Sequence, residues 1–255
     1  MAAHSSLGAS SAERWWACPG SVELSKGLPD TASEYAHEGT CAHYLGELCL
    51  TKEVHPKKYL DKTLELPEGD RTPGLPDTFK VTREMVDNVA TYTDFARNLG
   101  GDLYVEQRLD YSRWVPGGFG TGDTLAYVHE TQTLHVADLK YGQGVKVYAV
   151  DLDGSENKQL MLYGLGAHAL LELLGMPVLK VELHIIQPRL DHISSVEVTM
   201  PRLLEFGKEA RERALMTQDP DAELNPSPKA CQWCKVKDSE FGCSAFDEYV
   251  KDEAL

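Results

Sequence analysis

The residues whose types and spacing point most directly to chemistry are Asp138, Leu139 and Lys140, in the stretch ADLKYGQG. Side chains alternate along a strand, so Asp138 and Lys140 share one face while Leu139 points into the core. A carboxylate and an ammonium on one face suit the joint handling of a divalent cation and a water molecule. A second carboxylate, Asp123, lies near the start of the preceding strand-like stretch. If the two stretches form an antiparallel hairpin turning near residues 130–132, Asp123 and Asp138 come level. Two carboxylates and a lysine then converge at one end of a sheet. Mg2+ and Mn2+ favour oxygen ligands, and such ions stabilise charge and activate water in phosphodiester hydrolysis. Taken alone, Asp-x-Lys is a weak signal, and a surface ion pair is its plainer reading.

Cysteines form a second constellation. The chain has six: Cys18, Cys41, Cys49, Cys231, Cys234 and Cys243. No basic start followed by an apolar stretch marks a secretory signal, so a reducing cytosol is the default compartment, where clustered cysteines suggest metal rather than disulfides. Cys231, Cys234 and Cys243 place three thiols within 13 residues, and the first pair has spacing suited to a metal or cluster. Cys18, in WWACPGS, is the best candidate for a fourth ligand. Spacing leaves zinc and an iron–sulfur cluster both open. Cys41 and Cys49 fall in a helix pattern and read as small hydrophobes.

These residues need elements to position them. Residues 31–50 read as a helix, with capping-box spacing at Thr31 and Glu34 and a shared face of Tyr35, Ala42, Leu45 and Leu48. The following Pro-, Lys- and Asp-rich stretch reads as an irregular surface excursion. Residues 82–101 form a second amphipathic helix closed by glycines. Strand patterns cover 102–111, 122–130 and 132–141, with another short strand at 144–150. A long apolar helix follows at 155–175, then strands at 178–190 and 191–200 and a helix at 201–218 with Pro201 in its first turn. The tail reads as loop. This order predicts an α/β domain with a mixed central sheet flanked by helices.

Composition is that of a soluble globular protein, 42% hydrophobic and 25% charged. No apolar run reaches the ~20 residues that span a bilayer. The net charge of −15 argues against a general polyanion binder, because phosphate contacts come mostly from Lys and Arg. A nuclease with a local basic groove remains compatible with it.

Three further features accompany the carboxylates: His43 in GTCAH, the GTGD stretch ending at Asp123, and Gln159 and Tyr163, four apart on one helix face. The ordered series G-x-x-x-H, G-x-x-D, D-x-K, Q-x-x-x-Y resembles the RecB-like branch of the PD-(D/E)xK nuclease superfamily. It is similar to the CRISPR-associated RecB-like exonucleases and to phage- and prophage-encoded relatives, over about Cys18 to Cys243. The resemblance implies a restriction-endonuclease-like core and a metal-dependent DNA exonuclease in phage DNA recombination, repair or processing. His43, Asp123, Asp138 and the Leu139 carbonyl would bind Mg2+ or Mn2+. Lys140 would position the attacking water, while Gln159 and Tyr163 would orient the site or hold DNA. Many relatives carry Glu where this chain has Asp138. Glu106 reads equally as a helper of the site and as a surface strand residue.

The resemblance also implies that Cys18, Cys231, Cys234 and Cys243 hold a [4Fe–4S] cluster, with structural zinc as the alternative. The cluster would join residues 1–30 and 219–255 into a subdomain against a nuclease core at 31–218, in one nuclease domain. DNA with a free end is the implied partner, with phage recombination or replication proteins and a second copy of the chain as further ones. No membrane is involved, and the location is the cytoplasm of a bacterial host. A competing function is a DNA-binding or complex-scaffolding protein with a vestigial nuclease core, and a zinc-stapled hydrolase is a third.

Trp15, Trp16 and Trp233 suit base stacking, but packing around the cluster is the plainer reading for at least two of them. Lys52, Lys57, Lys58 and Lys62 read as a solvated basic loop. GGFGTG lacks the lysine and strand–helix context of a nucleotide-binding loop.

Overall fold

A computed structural model describes residues 5–29 and 33–253. Two short helices, α1 (Ala12–Ala17) and α2 (Ser21–Leu24), precede the long α3 (Glu34–Thr51). A small hairpin, β1 (Thr63–Glu65) and β2 (Thr78–Lys80), leads to α4 (Arg83–Asn98). Next come β3 (Asp102–Asp110), β4 (Phe119–Val128) and β5 (Thr133–Leu139), then α5 (Lys158–Leu173). The chain continues through β6 (Lys180–Gln187), β7 (His192–Thr199) and α6 (Met200–Met216), and its tail carries α7 (Pro228–Cys231) and α8 (Ser244–Glu253).

Strands β3 to β7 lie side by side in chain order, antiparallel except for the parallel pair β5–β6. Parallel neighbours need a long crossover, and α5 supplies it. The result is the expected α/β architecture, a mixed five-stranded sheet flanked by helices. Every residue of β5 is buried, as befits a central strand covered on both faces. On one face Leu125, Leu134, Val136, Leu183 and Ile185 pack with α5 and α6; on the other, Ala137, Leu139 and Ile186 meet Leu50, Tyr92 and Ala96 of α3 and α4. That second face also carries a buried polar pair, His135 and His184, and burial pushes His184 down to about 4. No helix among the described residues is long and apolar enough to cross a membrane.

The hairpin register is the one that the carboxylate argument requires. Thr124 pairs with Ala137, so the next residues outward, Asp123 and Asp138, stand opposite each other. Directly opposed residues share a face.

Several local expectations need correction. The α3 cap is Ser33, whose Oγ accepts from the Ala36 amide at 3.2 Å; Thr31 lies outside the described residues. Tyr35 is 84% exposed, and the buried face of α3 is Cys41, Ala42, Leu45, Gly46, Cys49 and Leu50, with Leu48 only half-buried. Residues 52–81 are more ordered than an irregular excursion: β1 and β2 pair, and Tyr59, Leu66 and Val81 are buried with α3 and α4. Residues 144–150 form no strand beyond a single bridge between Val150 and Glu156. Both edges of β5 are taken, by β4 and β6, and the segment meets β7 through the side chains of His192 and Ser194. Instead the buried Gln187 amide binds the carbonyls of Gly142 and Val145 and accepts from the Val147 amide, fixing the loop. The tail, expected as loop, ends in helix α8.

Close approach of α5 to β3 depends on Gly166, where an added Cβ would sit 2.9 Å from Leu109 Cβ and 3.4 Å from its backbone. Gly166→Val should lower stability by about 1–3 kcal/mol in thermal or urea denaturation, because overpacking outweighs the smaller gain in helix propensity.

Candidate functional site

The hairpin places two buried carboxylates at one sheet end, with side-chain exposures of 11% for Asp123 and 3% for Asp138. Each is answered from a different direction. Asp123 Oδ2 accepts from the Leu139 amide at 2.7 Å and lies 3.4 Å from His43 Nδ1 of α3. Asp138 Oδ1 accepts from Gln159 Nε2 at 2.9 Å. Lys140 Nζ sits 2.9 Å from Asp138 Oδ2 and donates to Gln159 Oε1 at 2.8 Å. Gln159 Nε2 also reaches the Tyr163 hydroxyl at 3.3 Å. The structure therefore brings together His43, Asp123, Asp138, Lys140, Gln159 and Tyr163. At Leu139 the group engaged with Asp123 is the amide; the side chain is buried among Tyr92 and Ile186.

The helices owe their positions to local signals. Thr82 caps α4 and Asn157 caps α5, each side-chain oxygen accepting from an amide three residues on. Gln159 and Tyr163, one turn apart on α5, then face Asp138. On α4 the buried Tyr92 hydroxyl bonds Thr124 Oγ1 at 2.7 Å, locking that helix to the strand beside Asp123. An added Cβ at Gly46 would meet the Tyr92 ring at 3.1 Å, so glycine lets α3 approach α4 and carry His43 in.

Glu106 belongs to the site. Ligand atoms of His43, Glu106 and Asp123 lie within 4.8 Å of one another. Glu106 has φ 48°, a left-handed conformation unusual for a residue with a side chain, and ladder pairing resumes on either side of it at Val105–Thr124 and Gln107–Gly122. Sequence reasoning missed two more acids, Glu47 and Asp70. Burial raises the pKa of each; Asp70 adds to the rise at Glu47, while His43 moderates the rise at Asp70. Glu47 follows His43 by four residues, a same-face signal; Asp70, in the segment between β1 and β2, gives none.

Acid crowding shapes the electrostatics. Burial disfavours a charged His43, but Asp123, Asp138 and Glu106 overcome it and push its pKa up to about 9. Burial and the Asp123 charge raise Glu106. Asp123 stays below the usual carboxylate range: against the cost of burial, His43, the Leu139 amide and Lys140 hold it ionised. Asp138 goes the other way, raised by burial and by Asp123 despite Lys140.

The donor set fits a hard divalent cation. Asp138 Oδ2 is buried and accepts no hydrogen bond, since Lys140 approaches it off the hydrogen-bonding direction. With Glu106 and Asp123 it offers the oxygen ligands that Mg2+ or Mn2+ favours.

Cys18, Cys231, Cys234 and Cys243 line a single pocket with Leu24, Leu224 and Phe246. All four are free, and the first three are buried. Cys18 Sγ accepts from the Asn225 amide at 3.2 Å, and the Gly20 amide binds the Glu223 carbonyl, so the two ends of the chain meet there. The half-buried Arg14 guanidinium donates to Ser21 and Ser25 beside the pocket, and burial raises the pKa of the Cys18 thiol. Cys41 and Cys49 are buried in the α3–α4 core, as expected. Trp15 is fully buried, Trp16 stacks on Phe206 at 5.1 Å, and Trp233 is 82% exposed. Lys52, Lys57, Lys58 and Lys62 are all exposed.

His43 provides a direct check on this arrangement. Its pKa, raised from 6.5 to about 9, means that its charge stabilises the metal-free fold fully below pH 6.5 and that this contribution is lost as pH rises through about 9. NMR titration of the His43 imidazole should give a midpoint well above 6.5 that falls in Glu106→Gln, where one carboxylate is gone. A midpoint at or below 6.5 in the wild type would contradict the geometry.

Among solved structures, that of SSO0001 is similar at a TM-score of 0.34 and 16% identity, covering 63% of this chain and 67% of that one. A family match spans residues 4–252, nearly the whole chain, and by that match the chain belongs to the family described as Protein of unknown function (DUF2800).

Proposed function

We propose that this protein is a divalent-metal-dependent deoxyribonuclease of the RecB-like PD-(D/E)xK type, with a restriction-endonuclease-like core, acting as an exonuclease on DNA ends. The observation that carries this reading is the buried network of Asp138, Lys140 and Gln159 beside Asp123, Glu106 and His43, with one Asp138 oxygen left without a hydrogen bond. A surface ion pair would not bury its carboxylate or fix its lysine from a separate helix.

Glu106, Asp123, Asp138 and His43 would hold Mg2+ or Mn2+. When bound, that ion supplies positive charge to the phosphodiester and acidifies water. Lys140, steadied by Gln159 Oε1 and Asp138, holds the attacking water. The water oxygen adds to phosphorus and one ester P–O bond breaks, leaving a phosphate monoester and a hydroxyl. Tyr163 keeps its proton, since burial and the Asp138 and Asp123 charges raise its pKa well above 10. Its hydroxyl, which accepts from Gln159 Nε2, would orient the site or hold DNA near the scissile phosphate.

In this reading the four cysteines hold a [4Fe–4S] cluster, with zinc as the alternative, that joins residues 1–30 and 219–255 across the core at 31–218. The partners are DNA, phage recombination or replication proteins, and a second copy of the chain, in the host cytoplasm. The net charge of −15 favours the competing reading of a scaffold with a vestigial core. The complete acid–lysine set opposes it.

End-labelled single- and double-stranded DNA with Mn2+ or Mg2+ tests the reading. Wild type should degrade the DNA from its ends, and Lys140→Ala should lose at least about 100-fold in rate while keeping its fold and cluster colour. Full activity in that variant sinks the assignment. Anaerobically purified wild type should be brown, and Cys234→Ala should lose its iron. A colourless wild type with one bound zinc would move the cysteine site to the zinc alternative.

A further inference from the structure

Three potential ligands meet on the sheet face opposite the acidic site. His135 of β5 pairs in register with Glu182 of β6, and Ala137 with His184, so the three side chains lie on one face of two parallel strands. His135 Nδ1 lies 3.1 Å from His184 Nε2 and 3.5 Å from Glu182 Oε2, and the three ligand atoms fall within 4.8 Å of one another. His135 is separated from Asp138 by three residues, roughly 10 Å along the strand, and its side chain points to the other face.

We propose that His135, Glu182 and His184 form a second metal site, for a zinc-class transition-metal ion, structural rather than catalytic. The spacing matches: bonds of about 2.0–2.1 Å in a tetrahedral zinc site put ligand atoms about 3.3 Å apart, between the two distances here. A hydrogen-bonded filler explains the cluster less well. One proton can be shared between the two facing ring nitrogens, which leaves the Glu182 oxygen at 3.5 Å outside hydrogen-bonding range, whereas a central cation engages all three atoms. Two imidazoles and one carboxylate also suit zinc better than Mg2+.

Outer contacts are in place. His184 Nδ1 lies 2.8 Å from Ser195 Oγ, the partner that fixes a ligand imidazole through its other nitrogen. Glu182 Oε1 is 3.0 Å from Lys180 Nζ, which is itself 2.9 Å from Glu197 Oε2, so the mouth of the cluster keeps a net negative charge. The Phe95 ring of α4 packs edge-on to His184 at 5.2 Å and covers the inner side. Glu182 is 30% exposed and marks the way in. Water would complete the coordination, and the ion would clamp the parallel pair from which Asp138 projects.

Zinc titration of the full-length protein by calorimetry tests the site, comparing wild type with Glu182→Gln and Ser195→Ala. Circular dichroism confirms the fold of each. Neither variant touches the cysteines or the acidic site, so differences between proteins report this cluster alone. Wild type should bind one zinc equivalent that Glu182→Gln loses, and Ser195→Ala, which removes no ligand, should weaken that equivalent by about 10- to 100-fold. Crystals grown with zinc should show an anomalous peak between the two rings. Equal zinc stoichiometry and affinity in wild type and Glu182→Gln overturns the proposal, as does zinc bound elsewhere with no peak at this position.

Discussion

Two carboxylates held level on adjacent central strands constrain everything around them. Removing an ion from water costs several kcal/mol even after relaxation, and two like charges at one sheet end add repulsion. Asp123 meets this cost with the Leu139 amide and His43, Asp138 with Lys140 and Gln159. The compensation is uneven. Asp123 is held ionised below its usual range, while Asp138 is raised and keeps an oxygen without a hydrogen-bond donor. Glu106, Glu47 and Asp70 add further acid groups beside these two, so carboxylates outnumber the cations His43 and Lys140.

The surrounding elements follow from that requirement. Gln159 must reach both Asp138 and Lys140, so α5 must lie close to the sheet, which Gly166 permits where it presses on Leu109. His43 must come from the opposite helical layer, so α3 must nest on α4, which Gly46 permits beneath Tyr92. Tyr92 in turn anchors α4 through Thr124, the neighbour of Asp123. Packing and chemistry thus share residues: the contacts that seat the helices set the reach of the polar groups. The N-terminal segment joins the main core through Leu7, Ala12, Trp15 and Val22, and four cysteines line the pocket where it meets the C-terminal segment.

The other side of the sheet shows how differently one strand can present its residues. Asp138 and Lys140 face α5, while His135 faces α4 beside His184 and Glu182. Alternation along β5 alone produces this division. A hard oxygen-rich set and a borderline nitrogen-rich set can therefore occupy opposite faces of the same pair of strands.

The sequence by itself determined the local facts. Period-2 alternation put Asp138 and Lys140 on one face, a short turn fixed the hairpin register that opposes Asp123 to Asp138, and four-residue spacing placed Gln159 with Tyr163. Those depend on neighbours along the chain or across a tight turn, where geometry leaves little choice. Tertiary structure alone decided the rest. Glu106 enters the site through a left-handed backbone conformation that its composition does not announce. Asp70 comes from a polar segment that reads as surface excursion, and residues 144–150 are held by the Gln187 side chain rather than by strand pairing. Each of these outcomes depends on which distant surface is free to accept a side chain or a strand, and that is settled only when the layers pack.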